Sequence, residues 1–222
     1  MTTPSLIIFD CDGVLIDSEV LQHQSLVDSL APYGIQMTLE EALKRYVGRR
    51  EEFSNAEAKE QYGIDLPPDF TKIRRQKRDQ VFRSKLKALP GVFNLLDELE
   101  KQRIRICIAT GASHPKLQLS LTIVNLWDRF APHLFSSTQV ANGKPAPDIF
   151  LFAAAHMQTP PEECLVIEDS IPGIQAARAA GMRVFGFTGG THCRNGHAET
   201  LLQHGAEKVF GHMNEITAAL ST

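Results

Sequence analysis

The sequence predicts an α/β protein: a parallel sheet covered by helices on both faces, with a separate block of helices inserted after the first strand. Three observations carry that expectation. Short runs that are apolar throughout recur along the chain, amphipathic helical patterns alternate with them, and one early segment holds helical patterns without a strand. A run with no polar alternation suits a strand buried on both faces, as in a sheet whose crossovers are helices.

In chain order, Leu6 to Phe9 is the first apolar run. From about Asp17 to Lys87 the pattern turns helical. Val20, Leu21, Leu26, Val27, Leu30 and Tyr33 mark one helix, ended near Gly34; Thr38 with Glu41 three residues on forms a capping-box signal for a second; Phe70, Ile73 and Val81 mark a third. The alternation then resumes: helix from Val92 to Gln102, run from Ile104 to Ala109, helices from Pro115 to Leu126 and Pro147 to His156, run from Cys164 to Ile167, helix from Ile171 to Ala180 with Gly181 as its terminal glycine, and run from Val184 to Phe187. A weaker run follows at Lys208 to Phe210. The expected organisation is a Rossmann-like α/β core of residues 1–16 and 88–222 and an α-helical cap domain of residues 17–87.

Composition bounds the function. At 222 residues with 43% hydrophobic and 22% charged side chains, the chain fits an ordinary soluble globular protein. Its formal charge of -3 exerts no global pull on nucleic acid or an anionic membrane, so an anionic ligand must be drawn by a local cluster. Lys72 to Lys87 is basic apart from Asp79, but without interleaved aromatic residues for stacking it reads as a solvated face, with Lys77 falling on the stripe of Phe70, Ile73 and Val81 and expected to point inward. Cys11, Cys107, Cys164 and Cys193 are far apart and lack paired zinc-site spacing, which suits a reduced compartment. No stretch reaches the ~20 apolar residues of a membrane span, and Leu6 to Phe9 is too short for a signal sequence; a cytoplasmic monomer is expected.

Four polar clusters stand where the strands end or in nearby loops: Asp10 and Asp12, Thr110 with Gly111, Lys144 before a helix, and Glu168 with Asp169. Ligands of open α/β sheets bind outside the carboxyl ends of the strands, so side-by-side strands would bring these clusters together. Carboxylates packed in this way repel one another and call for a cation, and an all-oxygen donor set favours Mg²⁺. A cation and a lysine would also relieve the repulsion met when a carboxylate attacks a phosphoryl group.

Four segments carry a resemblance: Phe9-Asp10-Cys11-Asp12-Gly13-Val14-Leu15, Ala109-Thr110-Gly111-Ala112-Ser113, Gly143-Lys144-Pro145-Ala146-Pro147-Asp148, and Ile167-Glu168-Asp169-Ser170. In these the sequence resembles the haloacid dehalogenase superfamily, in the subgroup with a helical cap after the first strand, close to sugar-phosphate phosphatases and β-phosphoglucomutases. The resemblance implies that Asp10 is a nucleophile that becomes an aspartyl-phosphate, and that Asp12 is the general acid and base. It implies that Thr110, Gly111 and Lys144 bind the phosphoryl group. Mg²⁺ would be held by Asp10, the backbone carbonyl of Asp12, Asp169 and Glu168, the last directly or through water. Asp12 separates the chain from the metal-independent dehalogenases, which lack it.

The expected activity is hydrolysis of small phosphomonoesters such as sugar or sugar-acid phosphates, with a β-phosphoglucomutase-type transfer as the alternative. The mutases carry a histidine where this chain has Gln22, and His23 comes one residue late, a rotation of ~100° on a helix. Arg49, Arg50 and Lys77 are the candidate substrate contacts from the cap. His192 and Cys193 are assigned no role.

Overall fold

The computed structural model describes residues 3–48 and 53–220. Strand β1 (Leu6–Phe9) leads into four helices, α1 (Glu19–Leu30), α2 (Leu39–Tyr46), α3 (Asn55–Tyr62) and α4 (Phe70–Lys85). The chain then alternates through α5 (Val92–Lys101), β2 (Arg105–Thr110), α6 (His114–Ile123), α7 (Trp127–Phe130), β3 (Leu134–Ser136), α8 (Asp148–His156) and β4 (Cys164–Glu168). It ends through α9 (Ile171–Ala179), β5 (Arg183–Phe187), α10 (His197–Gln203), β6 (Lys208–Phe210) and α11 (Met213–Leu220). The six strands form one sheet in the order β3-β2-β1-β4-β5-β6, parallel throughout.

The central strands are fully buried, as their unbroken apolar runs require. One apolar layer, including Ile7, Phe9, Leu96, Ile108 and Leu121, fills one side of the sheet. The other side holds Leu6, Ile8, Phe150, Val166 and Ile174. Alternate residues of β1 thus feed opposite layers. β3 is the strand that sequence periodicity does not show: its three residues exist as a strand by pairing with β2, with Ile108 beside Leu134.

The inserted helices have an apolar cluster of their own, built around Leu26, Leu30, Phe53 and Phe70. Thr38 caps α2 in both directions, its hydroxyl accepting from Glu41 N while its own amide donates to Glu41 Oε2. The two links to the sheet run side by side: Asp17 N donates to Lys87 O, Leu89 N donates to Leu15 O, and Ile16 bridges Ala88. Phe82 of α4 reaches into the core layer and is fully buried there, a contribution of roughly 1.5–3 kcal/mol to docking this helix.

The buried face of α4 differs from the expected one. Phe70, Arg74, Arg78 and Phe82 are buried, a series at every fourth residue, whereas Ile73 and Val81 are half-buried and Lys77 is exposed. Lys77 therefore does not point inward. α4 packs on α1 and α6, and two arginines hold the middle of its inward stripe because their methylene stems pack while their guanidinium groups face a polar cleft.

Candidate active site

Asp10 and Glu168 stand one residue beyond the register pair Phe9–Ile167, at the carboxyl ends of adjacent strands. Asp10 N continues the ladder by donating to Ile167 O. Lys144 arrives from the loop before α8 and joins them, its Nζ donating to Asp10 Oδ1 at 2.7 Å and Glu168 Oε1 at 2.6 Å. The remaining Glu168 oxygen accepts from Ser170 N and Ser170 Oγ at 2.7 and 2.9 Å. Both oxygens of Glu168 are thus engaged, and its evident task is to hold the lysine.

Asp12 keeps different company. Ser18 Oγ donates to its Oδ1 at 2.5 Å and Lys116 Nζ to its Oδ2 at 2.8 Å. Lys116 also donates to Gln22 Oε1 at 2.7 Å, while His23 turns back to Glu19, Nδ1 lying 3.0 Å from Oε2. The one-residue offset between Gln22 and His23 thus has its expected geometric result: the imidazole does not touch Asp12. Directly after Asp12 the chain turns through Gly13 at φ +78°, where a Cβ would lie 1.9 Å from Asp169 Oδ2, so only glycine fits.

Thr110 closes β2 and is buried, its Oγ1 accepting from Ala112 N at 3.2 Å. Thr110 and Gly111 line a cavity of about 300 Å³ together with Asp10, Asp12, Lys116 and Lys144; Arg74, Arg75 and Arg78 of α4 line it too. The sheet brings Asp10, Asp12, Thr110, Gly111, Lys144, Glu168 and Asp169 to one end of the fold. Lys77 lies outside this lining, and Arg49 and Arg50 lie outside the described residues.

Electrostatics identify what the carboxylates lack. Burial raises the Asp10 carboxyl to about 7 against the pull of Lys144, with Glu168 and Asp12 adding to the rise. Asp169 is pushed well above the carboxylate range by burial and by Glu168, Asp10 and Glu19. Burial would lower Lys144, but Asp10 and Glu168 outweigh it and hold the ammonium charged. Asp169 Oδ2 lies 2.8 Å from His192 Nε2 in an ion-pair contact off hydrogen-bond geometry, and it accepts no hydrogen bond among the described residues. Carboxylate oxygens of Asp10, Glu168 and Asp169 all fall within 4.8 Å of one another. A buried all-oxygen cluster with an orphaned oxygen fits a small hard cation.

Four participants escaped sequence reading. Lys116 had a signal, since it shares a buried helix face with Leu117, Ser120 and Leu121, where a lysine needs a partner. Arg74 and Arg78 had only their spacing from Phe70 and Phe82. His192, in a loop, had none.

Strand-end carboxylates bridged by a lysine, beside a glycine turn and a hydroxyl, define a hydrolase of phosphoric monoesters. The chain belongs to the haloacid dehalogenase-like hydrolase family, whose model matches residues 7–187. It is 29% identical to 6-phosphogluconate phosphatase of Escherichia coli (strain K12) over 97% of this chain and 94% of that one. It is 31% identical to β-phosphoglucomutase of Bacillus subtilis (strain 168), over 96% and 92%. A solved haloacid dehalogenase-like protein of unknown function from Agrobacterium tumefaciens str. C58 superposes with a TM-score of 0.80 at 36% identity, covering 98% of this chain and 97% of that chain. Among the described residues no helix is long and apolar enough to cross a membrane.

Proposed function

We propose that this chain is a Mg²⁺-dependent phosphatase of small phosphorylated metabolites, sugar or sugar-acid phosphates, working through an aspartyl-phosphate. The observation that carries the reading is the division of labour between two aspartates two residues apart. Asp10 shares Lys144 with Glu168 beside Asp169, while Asp12 is held apart by Ser18 and Lys116.

In this reading Asp10 Oδ attacks phosphorus, and Lys144 keeps the nucleophile ionised and faces the incoming negative charge. Thr110 Oγ1 and the Gly111 amide donate to the phosphoryl oxygens. Asp12 gives its proton to the departing alkoxide, then takes one from the water that opens the aspartyl-phosphate. Mg²⁺ would be held by Asp10, the Asp12 carbonyl and Asp169, with Glu168 acting through Lys144 or a water, and when bound it supplies charge neutralisation. Residues 17–87 form the cap in this scheme, residues 1–16 and 88–222 the catalytic core. Arg74 and Arg78, which line the cavity, would meet the substrate's far end; Arg49 and Arg50, outside the described residues, stay candidate contacts from the sequence. A cavity near 300 Å³ is at the small end of the ~300–1,000 Å³ range of ligand sites, which suits one small metabolite.

Transfer to a second sugar hydroxyl is the alternative, favoured by the likeness to the Bacillus mutase. The deciding experiment measures phosphate release from a panel of sugar and sugar-acid phosphates with Mg²⁺, beside a coupled assay for glucose 6-phosphate formed from β-glucose 1-phosphate. Release in the first assay, abolished in Asp10→Asn, is expected. Turnover in the coupled assay alone would replace the phosphatase by the mutase.

A further inference from the structure

Adjoining the phosphoryl site, a second group of metal-ligating side chains sits in the loop between β5 and α10. His192, Cys193 and His197 each offer one donor atom, and these atoms lie within 4.8 Å of one another. The loop is fixed: Thr191 N and Thr191 Oγ1 both donate to Asp17 Oδ1, at 3.1 and 2.8 Å, and Cys193 N donates to Gly190 O.

The ring nitrogens are set for the task. His197 Nε2 is 2.6 Å from the carbonyl oxygen of Asp169. A carbonyl only accepts, so Nε2 carries the proton and Nδ1 keeps its lone pair, the arrangement found in imidazoles that bind metals while donating to a backbone carbonyl. His192 is 7% exposed. Its Nδ1 side is packed against Gly190, where a Cβ would lie 2.7 Å from Nδ1, so the nitrogen that serves the cluster is Nε2. That atom is 3.4 Å from Cys193 Sγ, close to the ~3.6 Å that separates a sulfur and a nitrogen sharing one tetrahedral zinc with bonds of ~2.3 and ~2.0 Å. Asp169 Oδ2, 2% exposed at its residue and accepting no hydrogen bond among the described residues, points at the same nitrogen from 2.8 Å.

Access is available. Cys11, Cys107 and Cys164 are buried, but Cys193 is half-exposed, and His192 and His197 line an open cleft that also holds Arg194. We propose that His192, Cys193 and His197 form a second metal site, for a divalent ion of the zinc class, with solvent from the open cleft completing the coordination. Thiolate and imidazole ligands select Zn²⁺ or Co²⁺ over the hard cations that suit the neighbouring carboxylates, so the two sites sort ions by chemistry. Binding converts the Cys193 thiol to thiolate, with its proton released to solvent.

Co²⁺ is the probe. The full chain is titrated with it under excess Mg²⁺, which occupies the oxygen donors, while near-ultraviolet absorbance reports thiolate-to-cobalt charge transfer and dialysis gives stoichiometry. One Co²⁺ per chain with a charge-transfer band is expected, displaced by Zn²⁺. Cys193→Ser should abolish the band, His197→Ala should weaken binding at least about tenfold, and Cys107→Ser should leave both intact. The proposal is overturned if the wild-type chain binds only a trace of Co²⁺, or if the band survives in Cys193→Ser. The Cys193 and His197 side chains are partly exposed, and the wild-type titration stands without any variant.

Discussion

The two walls of the catalytic cavity are built on different logic. On the sheet side each charged group is tied down: Lys144 by Asp10 and Glu168, Glu168 by Ser170, Asp12 by Ser18 and Lys116. On the helical side the charge comes from arginines on α4, set by the packing of Phe70 and Phe82 at the ends of their stripe, with Arg78 donating to its chain neighbour Asp79. One wall places atoms through strand register and bonds that cross between elements, the other chiefly through helix phase. The first suits chemistry, which tolerates little displacement; the second suits recognition, which can change with one rotation of a helix.

Substitutions can break that contrast. The largest effect is expected for Asp10→Asn, a loss of phosphate release of more than about 10⁴-fold with no phosphoenzyme trapped on rapid acid quench. If Asp10→Asn retains turnover near the wild-type rate, the nucleophile is elsewhere. Asp12→Asn should lower kcat by roughly 10²–10⁴-fold, least for substrates with acidic leaving groups that need no proton. A uniform loss across leaving groups would remove Asp12 from proton transfer.

On the helical wall, Arg74→Met with Arg78→Met should raise KM for sugar-acid phosphates about tenfold or more, given ~1.5–3 kcal/mol for a charge-assisted hydrogen bond, with kcat less affected. A fall in kcat alone would mean that α4 serves the chemistry after all. Lys77→Ala, on the outward face, should change neither constant by more than about twofold. A large KM effect there would place Lys77 at the substrate.

Glu19 gives a smaller, pH-dependent effect on stability. Burial acts to raise its carboxyl, but the bond and charge of His23, with Lys116 and His192, outweigh it and hold the group at about 2 against an ordinary value of 4.5. A depressed native value means that the ionised form favours folding. Its contribution is complete above the ordinary value and is lost as pH falls from there through the native one. Denaturation midpoints of wild type and Glu19→Gln should therefore converge as pH falls from about 5 to about 2. A constant gap over that interval would show that Glu19 does not titrate as a stabilising carboxylate.

Legibility followed the same division. β1, β2, β4 and β5 were readable because double burial leaves an unbroken apolar run, and the strand-end residues Asp10, Thr110 and Glu168 followed from position. Thr38 and Glu41 announced α2 because a capping box is local chemistry. β3 was unreadable, since Leu134 to Ser136 form a strand only through their neighbour β2. The phase of α4 was misread because hydrophobic periodicity treats Arg74 and Arg78 as solvent-facing, although an arginine stem can fill a buried stripe with its head in a cleft. His192 reaches Asp169 through a loop path that no period encodes.

The paired links at Ile16 and Ala88 have a consequence for how such a protein diversifies. Because entry and exit of the inserted helices lie within a hydrogen bond of each other, the sheet does not register how many residues are looped out between them. Insertions, deletions or wholesale exchange of that block leave the spacing of β1 to α5 unchanged and Asp10 where it was. The join works as a socket, into which a lineage can fit new recognition surfaces while inheriting one reaction.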